Sequence, residues 1–534
     1  MPVSRVEWGR AAVFAIVVMA LTCVPYVLGA LNTPEGWQYS GFVLGADDGY
    51  SYVGKMRHGV EGFWSFHIFY TAEPHDAVAL TFLPYIIPGQ MMRLFTGTEN
   101  PALFAQMVWL FHGMRVVSGA LLILVTYRFI AAFIEQPGTR FLALVIITLG
   151  GGLGILLLPF GGTPPEWFIP ESFTFLILFT LPHVALARAA LLGGLMLLFG
   201  DGKHAAPLRN AVFAGLLWLI TGASVPFYLA VLYAVLGVWG ILLWVRDRAF
   251  PMALFIRAVI AGGITLPLFF YYLWAFNSNP AFVQWSSQNI LASPPPWHYL
   301  LAYGPVLIAG AVALRRVWQT AGNRYPLLLA WSVVGLTLVY LPINVQRRLA
   351  EGVFVPLVIL AVLGLSQLMQ TDTEEQRRTW LRPVLLVATL PGMLFILVVT
   401  SLGAISAPPD LYTQTSTVTA LQWLDANETS GRERGGVVLA RFDVGNRLPA
   451  YAALRPYVGH GPETLNSREK EATAEAFFNG ELSAEDATTL ITDPENYIDY
   501  VFVGVGDVLS DGVDSVLTEI YREGDIVMYR VVTE

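Results

Sequence analysis

The sequence from Ala11 to Leu31 reads AAVFAIVVMALTCVPYVLGAL, and GADDGYSY follows it at Gly45 to Tyr52. The first stretch is almost entirely apolar and is long enough to cross the ~30 Å hydrocarbon core of a bilayer as one helix. It has a basic flank at Arg5 and Arg10 but no convincing cleavage site of small residues. We therefore predict a retained membrane span rather than a signal peptide, with the acidic stretch just beyond the membrane surface.

The rest of the chain repeats this apolar pattern. Of its 534 residues, 55% are hydrophobic and only 13% are charged, and the mean hydropathy of +0.57 is far above that of a soluble domain. Recurrent apolar runs predict a polytopic α-helical membrane protein with about eleven transmembrane helices. The single cysteine, Cys23, lies inside the first span, which excludes a disulfide framework. No basic patch interleaved with aromatic residues points to a nucleic-acid partner.

Charge separates two parts of the chain. After residue 404 there are 22 acidic and 9 basic residues, whereas the preceding part has 17 acidic and 22 basic residues. In the acidic part, β-like apolar runs such as Tyr500 to Val505 and Ile526 to Val532 occur together with helix-like stretches such as Arg468 to Phe478. We predict a transmembrane domain at 1–404, whose first extracytoplasmic loop is 32–100, and an extracytoplasmic α/β domain at 405–534.

The distribution of basic residues predicts the orientation in the membrane. With the N-terminus in the cytoplasm, most loop arginines, such as the pairs Arg315-Arg316 and Arg377-Arg378, fall on the cytoplasmic side, as the positive-inside rule requires. An odd number of spans then places the C-terminal domain on the opposite face. The acidic stretch after the first span is expected on that same face.

Asp47 and Asp48 are the first candidate catalytic residues. Adjacent carboxylates can act as a general base or as metal ligands, and the flanking glycines allow the backbone to turn tightly. Two close carboxylates also repel, so the pKa of one is expected to rise unless a cation lies between them. The alternative interpretation is a solvated loop in which an aspartate caps the helix that follows.

Further polar residues are candidates for binding substrate or metal. Glu73 and His75 lie in the first loop and either complete a metal site with the Asp pair or form a solvated turn. Glu171 borders a membrane span and is either a helix cap or part of a site. His183 either contacts substrate or forms a hydrogen bond within the helical bundle.

Arg347 and Arg348 lie on the outer face of a chain that otherwise keeps its arginines on the cytoplasmic side. Guanidinium groups bind phosphate oxygens in bidentate fashion. An anionic lipid headgroup or a lipid-linked phosphate would supply that partner. The alternative is a pair of interfacial anchors.

These features together resemble the membrane-embedded glycosyltransferases of the C superfamily (GT-C), which include protein O-mannosyltransferases, aminoarabinose transferases and the catalytic subunit of oligosaccharyltransferases. The resemblance rests on Asp47-Asp48 directly after the first span, on the long outer loop with its amphipathic helix, and on Gln346-Arg347-Arg348 before Pro356. The tail has no Trp-Trp-Asp-Tyr-Gly motif of the kind with which oligosaccharyltransferases bind an acceptor sequon. Peptide N-glycosylation is therefore not expected.

The resemblance implies an inverting glycosyltransferase that moves a sugar from a polyprenyl phosphate to an acceptor hydroxyl outside the cytoplasm, in a bacterial-type inner membrane. Asp47, which we prefer, or Asp48 would be the base, and Arg347 with Arg348 would bind the donor phosphate. A divalent metal (Mg or Mn), if one takes part, would be bound by Asp48. The partners would be the lipid donor, membrane lipids and an acceptor whose class the sequence does not name.

Two other functions fit a polytopic membrane protein. A lipid or solute transporter would place charged residues in broken helices near the middle of the membrane, often in two similar halves. No convincing internal repeat is present, and most acidic residues of interest lie in outer loops. A scaffold whose acidic tail binds a partner is the third interpretation.

Overall fold

The computed structural model describes residues 2–76, 80–199, 207–370, 380–428 and 435–532. The chain forms two compact units, each assembled from separate parts of the sequence. The first unit contains Met1–Val24, Gly113–Tyr272 and Ile290–Thr400, and the second contains Pro25–His112, Leu273–Asn289 and Ser401–Glu534. The first loop and the C-terminal region therefore belong to the same unit.

Helices dominate the chain before the C-terminal region, because an apolar segment in lipid must satisfy its backbone hydrogen bonds internally. In chain order they are α1 (Arg5–Leu31), α2 (Ala46–Val60), α3 (Leu83–Arg93), α4 (Leu103–Ile130), α5 (Pro137–Leu149), α6 (Thr174–Thr180), α7 (Pro182–Leu198), α8 (Pro207–Ser224), α9 (Tyr228–Asp247), α10 (Met252–Ser278), α11 (Pro280–Gln288), α12 (Pro296–Ala311), α13 (Leu314–Gln319), α14 (Tyr325–Leu338), α15 (Phe354–Gln370), α16 (Leu381–Thr389) and α17 (Pro391–Ser406).

Six helical segments among the described residues are long and apolar enough to cross a membrane. They are Arg5–Leu31, Leu103–Ile130, Pro137–Phe160, Tyr228–Asp247, Met252–Ser278 and Gln346–Met369. The pair α16 and α17, which is bent by 43°, makes a seventh if it forms one span. The multi-span helical architecture that the sequence predicts is present. The expected count of about eleven would also require shorter apolar helices such as α7 and α14 to span the membrane.

The C-terminal region contains helices and a mixed sheet, as predicted. Its helices are α18 (Thr415–Glu428), α19 (Phe442–Tyr451), α20 (Ser467–Phe478) and α21 (Ala484–Thr492). Strands β3 (Val437–Leu439), β4 (Arg455–Pro456), β5 (Ile498–Val503), β6 (Leu517–Glu523) and β7 (Ile526–Val531) lie in the order β4-β3-β5-β7-β6. β3 pairs in parallel with β4 and β5, whereas β7 is antiparallel to β5 and β6. Buried Phe477 and Phe478 pack in the core formed with this sheet.

The first loop and the C-terminal region also share a small sheet within the second unit. Strand β1 (Trp37–Tyr39) pairs antiparallel with β2 (Tyr412–Gln414). Helix α2 packs against α19, and the Tyr50 hydroxyl lies 2.8 Å from the Thr413 hydroxyl. Helix α2, which carries the Asp pair, is thus held by residues far along the chain.

Candidate active site

Asp47 and Asp48 lie in the first turn of α2. The N-cap residue is Gly45, whose φ of 62° is a left-handed conformation that glycine adopts without strain. Neither aspartate occupies the N-cap position, so the capping interpretation does not describe them. Both side chains are exposed to solvent, and the positive end of the helix dipole favours negative charge in this turn. The geometry therefore presents two accessible carboxylates.

Each carboxylate of the pair faces a polar side chain from the C-terminal region. The Asn446 amide, on α19, donates to Asp47 Oδ1 at 3.2 Å. His460 Nε2 lies 3.4 Å from Asp48 Oδ1. Asn446 and His460 are both buried, with 1% and 7% exposure, whereas the carboxylates are exposed. The buried partners can therefore orient the carboxylates without blocking access to them.

The surroundings of Asp47 change the proton affinity of its carboxyl. The protein around Asp47 excludes part of its water and raises the pKa of its carboxyl above the ordinary value. His460 and Arg447 lower that pKa, while Asp48 and Asp410 add to the rise. A carboxylate with a raised pKa is a stronger proton acceptor than an ordinary one. A raised pKa is thus compatible with a proton-accepting role for Asp47.

The same face of α2 carries a buried ion pair, since helical spacing places Ser51 and Lys55 one and two turns beyond Asp47. The Lys55 Nζ atom lies 2.6 Å from Glu463 Oε1, with side chains that are only 1% and 4% exposed. Lys55 also donates to the Ser51 hydroxyl in a short contact, and its ammonium lies 4.1 Å from the centre of the Phe82 ring. The pair links α2 to the loop that carries His460.

Glu73 and His75 make contacts of a different kind. Both carboxylate oxygens of Glu73 accept from Lys470 Nζ at 2.8 Å. Burial by itself would raise the pKa of Glu73, but the Lys470 ammonium together with hydrogen bonds from Thr71 and the backbone outweighs this effect, and the pKa is lowered. His75 Nε2 accepts from the Ile68 backbone N–H at 2.8 Å, so Nδ1 donates to the Glu73 carbonyl at 2.9 Å. Both ring nitrogens of His75 are thus hydrogen-bonded to backbone groups.

These contacts bear on the predicted metal ligands. Across residues 2–76 and the other described ranges, no three His, Cys, Asp or Glu side chains come together as a group that could hold a metal ion. The structure therefore does not gather Glu73 and His75 with the Asp pair into such a group. A divalent cation at the Asp pair would take its other ligands from water or from a substrate phosphate, as Mg²⁺ commonly does.

The first unit contains the predicted phosphate-binding arginines. Arg347 and Arg348 lie in a short 3-10 turn, Gln346–Ala350, and are half-buried. The Arg347 guanidinium lies 5.3 Å from the centre of the Phe168 ring. Arg348 Nε lies 3.6 Å from Glu171 Oε1, so the structure does bring Glu171 to one of the two arginines. His183 is half-buried at the second position of α7.

A buried ion pair that the sequence analysis missed supports this turn. Arg188, on α7, donates through Nε and Nη2 to the two carboxylate oxygens of Glu351 at 2.7 and 2.8 Å. Neither side chain is exposed. Arg188 Nη2 also donates to the Glu171 carbonyl, and the Gly352 N–H donates to the same oxygen at 2.8 Å. The segment on both sides of Arg347 and Arg348 is therefore tied to α7 and to Glu171.

Glu166 is a second buried carboxyl of the first unit. Three glycines, at 151, 154 and 392, leave room for its side chain where a Cβ would collide with it or crowd it. The neighbouring Trp167 donates through Nε1 to the Gly392 carbonyl at 2.9 Å, beside the bend between α16 and α17. Burial raises the pKa of Glu166 to about 7, against a smaller opposite effect of nearby backbone N–H groups.

Six polar residues around the candidate sites were not found by sequence reasoning: Lys55, Arg188, Glu351, Asn446, His460 and Glu463. The sequence did carry a signal for Arg188 and Glu351, because a charged residue within or beside an apolar run is costly in a membrane and implies a partner. No such signal exists for His460 and Asn446, because neither belongs to a motif and the sequence predicts a tail that folds separately from the first loop.

The structure is similar to solved membrane enzymes, whereas its sequence matches neither a protein-family profile nor a curated protein. The apo oligosaccharyltransferase of Archaeoglobus fulgidus superimposes with a TM-score of 0.57 and 13% identity, over 91% of this chain and 69% of that one. The oligosaccharyltransferase AglB of the same organism, in complex with an inhibitory peptide and a dolichol-phosphate, gives a TM-score of 0.54 and 13% identity, over 92% and 69%.

A third similar structure is that of the arabinofuranosyltransferase AftD from Mycobacteria, with a TM-score of 0.54 and 15% identity, over 100% of this chain and 42% of that one. At identities this low, the structural similarities establish the fold but not the substrate. They confirm the resemblance predicted from the sequence: the chain has the fold of the GT-C membrane glycosyltransferases.

Proposed function

We propose that this protein is a glycosyltransferase that moves a sugar from a polyprenyl-phosphate donor to an acceptor hydroxyl on the extracytoplasmic face of a membrane. The observation that carries the proposal is the Asp pair in the first turn of α2, accessible to solvent and held by buried partners, in a chain with a glycosyltransferase fold. One structure with this fold contains a dolichol-phosphate, which is a lipid phosphate of the class proposed here.

In the proposed reaction Asp47 accepts the proton of the acceptor hydroxyl. The hydroxyl oxygen forms a bond to the anomeric carbon of the sugar, while the bond between that carbon and the phosphate oxygen breaks. The polyprenyl phosphate leaves with the electron pair, and this single displacement inverts the anomeric configuration. Asp48 orients the site. The raised pKa of Asp47 and its contact with Asn446 support this assignment of roles.

Arg347 and Arg348 are proposed to bind the donor phosphate. Negative charge grows on the leaving phosphate as the glycosidic bond breaks, and a guanidinium stabilises that charge. Among the described residues no carboxylate lies within ion-pair distance of Arg347, while Arg348 is paired with Glu171 at a long 3.6 Å. Arg347 is therefore the arginine that is more available to a phosphate. His183, Glu73 and His75 remain secondary candidates for substrate contacts.

The proposed setting is the inner membrane of a bacterial-type cell, with about eleven spans, the N-terminus in the cytoplasm and residues 405–534 outside. A transmembrane domain at 1–404 would then hold the lipid part of the donor. Membrane lipids and an acceptor of unspecified class complete the partners.

The test is transfer by the purified protein in detergent from a panel of synthetic polyprenyl-phosphate sugars, with an extract of cell-envelope glycans and proteins as acceptor. Release of polyprenyl phosphate and labelling of the acceptor are both measured. Asp47→Asn or Asp48→Asn should reduce transfer by about 10²-fold or more, the usual scale for losing a general base, with the fold intact. Glu485→Gln, which removes an exposed carboxylate from the first turn of α21, is the matched control and should retain transfer.

Wild-type rates in the double Asn variant would contradict the role of this loop. The transporter interpretation would then gain, because the bent pair α16 and α17 is the kind of interrupted helix that transporters use at their binding sites. Uptake of labelled lipid phosphate into proteoliposomes would test it directly.

A further inference from the structure

The loop that carries His460 is held rigidly against the first loop of the chain. The Thr464 hydroxyl donates to the Tyr70 carbonyl at 2.7 Å and accepts from the Gly459 N–H at 3.1 Å. The backbone N–H groups of Glu463 and Thr464 both donate to the His460 carbonyl at 2.9 Å. The His460 ring also packs against the Tyr70 ring, with centroids 5.5 Å apart. His460 therefore has little freedom to turn away from Asp48.

The Lys55–Glu463 ion pair connects this loop to the helix that carries the Asp pair. Glu463 is 3% exposed, and its Oε1 accepts from Lys55 at 2.6 Å and from the Ser51 hydroxyl at 3.4 Å. Lys55 lies two turns along α2 from Asp47. Removing one partner of a buried ion pair lowers the free energy of unfolding more than removing one partner of an exposed pair. The Lys55–Glu463 pair therefore fixes the position of the His460 loop relative to α2.

We propose that His460 is a positioning residue for the Asp pair, set in place by the Lys55–Glu463 ion pair, so that the C-terminal region completes a catalytic site begun by the first loop. The proposal rests on the glycosyltransferase function proposed above. Its physical reason is that adjacent carboxylates repel. A buried imidazole nitrogen 3.4 Å from an Asp48 oxygen attracts that carboxylate and favours one orientation of it. A base must lie within about 3 Å of the proton that it accepts, so a small rotation of the pair is costly.

The activity test compares His460→Ala with His460→Gln, which keeps a hydrogen-bond donor on a side chain of similar reach. His460→Ala should lower kcat by up to about 10²-fold, the scale expected for a misplaced catalytic group, with a small change in donor KM. His460→Gln should recover most of the loss. In the Asp48→Asn background, His460→Ala should cause little further loss of kcat, because its effect passes through Asp48.

A matched pair of variants tests the ion pair. Glu463→Gln breaks the link between α2 and the His460 loop, whereas Asp425→Asn breaks another ion pair of α2, in which Arg57 Nη2 lies 2.6 Å from Asp425 Oδ2. Glu463→Gln should lower kcat as His460→Ala does, and Asp425→Asn should affect thermal stability without that fall in kcat. Equal losses of kcat in both variants would contradict a specific role for the loop.

A measurement that needs no activity separates this proposal from the proposed function. Carbodiimide-driven coupling of an amine to Asp48, quantified by mass spectrometry against exposed Asp443, should be several-fold faster in His460→Ala than in the wild type and near the wild-type rate in His460→Gln. If the wild type transfers no sugar but this pattern holds, the proposed function fails and the positioning of Asp48 stands. If Asp48 couples equally in all three proteins, the positioning role is wrong whatever the enzyme does.

Discussion

The buried carboxyl of Glu166 makes the stability of the folded protein depend on pH. Its folded-state pKa of about 7 lies above the 4.5 of an ordinary glutamate because burial disfavours the charged form. The folded protein therefore binds this proton more tightly than the unfolded chain does. The contribution of this proton to the free energy of unfolding is fully present below about pH 4.5 and is lost as the pH rises through about 7.

Glu166→Gln should remove that dependence, because glutamine is neutral at every pH. The free energy of unfolding of the wild type should fall by up to about 3 kcal/mol between acidic and mildly alkaline pH, since each tenfold difference in proton affinity corresponds to ~1.4 kcal/mol. Thermal unfolding in detergent at a series of pH values measures it, with Glu99→Gln at an exposed position as the control. Parallel pH profiles for wild type and Glu166→Gln would show that the carboxyl does not titrate in this range.

Substitution of a single residue, Arg347, tests binding of the donor phosphate. Arg347→Ala should weaken binding of a labelled polyprenyl phosphate by about tenfold or more, since a hydrogen bond to a charged group contributes ~1.5–3 kcal/mol. Lysine should restore binding only in part, because it lacks the planar fork. Arg324→Ala is the control, because Arg324 also lies over an aromatic ring, 5.3 Å from the centre of Tyr325. Unchanged affinity in Arg347→Ala and Arg348→Ala would identify both arginines as interfacial anchors.

At the scale of elements, helix α7 and the turn Gln346–Ala350 depend on each other through the ion pair of Arg188 and Glu351. Both side chains are fully buried and form a bidentate fork. Desolvating two charges offsets much of their mutual attraction, so the pair does not by itself make the protein more stable than a well-packed apolar pair would. What it supplies here is a fixed position for the segment that bears Arg347 and Arg348.

Arg188→Met should therefore destabilise the protein by about 3–5 kcal/mol, because it leaves Glu351 buried without its cation. The double variant Arg188→Met with Glu351→Leu should regain most of that loss, since both charges are then absent. Thermal unfolding in detergent measures stability, and binding of polyprenyl phosphate measures the position of the turn. A double variant as unstable as Arg188→Met alone would mean that the packing of α7, and not the unpaired charge, causes the loss.

At the scale of the whole molecule, the prediction concerns topology. The excess of basic residues in alternate loops and the odd number of expected spans predict that residues 405–534 lie outside the cytoplasm. A reporter that is active only in the cytoplasm, fused after the last residue, should be silent, and one that is active only outside should give signal. The same pair of reporters inserted at 321–324, just after the helix α13 that carries Arg315 and Arg316, should give the opposite result. Cytoplasmic activity at the C-terminus would move the Asp pair and the tail to the wrong face for a lipid-linked donor.

Much of the architecture could be predicted because it depends on local properties of the chain. The length of an apolar run decides whether a helix can span a bilayer, and alternation or helical spacing decides the elements of the tail. The β-like runs at Tyr500 to Val505 and Ile526 to Val532 and the helix at Arg468 to Phe478 are each present within a few residues. Composition alone does not give the number of spans, because short apolar helices such as α7 have the same composition as helices that are long enough to cross a membrane.

By itself the sequence determined that this is a helical membrane protein with the Asp pair at the start of an amphipathic helix, and it led to the glycosyltransferase resemblance. Only the tertiary structure decided what surrounds that pair. Asn446 lies 399 positions from Asp47 in the chain, and Glu463 lies 408 positions from Lys55. The same holds for Arg188 and Glu351, 163 positions apart. Contacts across such separations arise from packing between distant elements, and no periodicity or local motif in a single sequence encodes which side chains will meet.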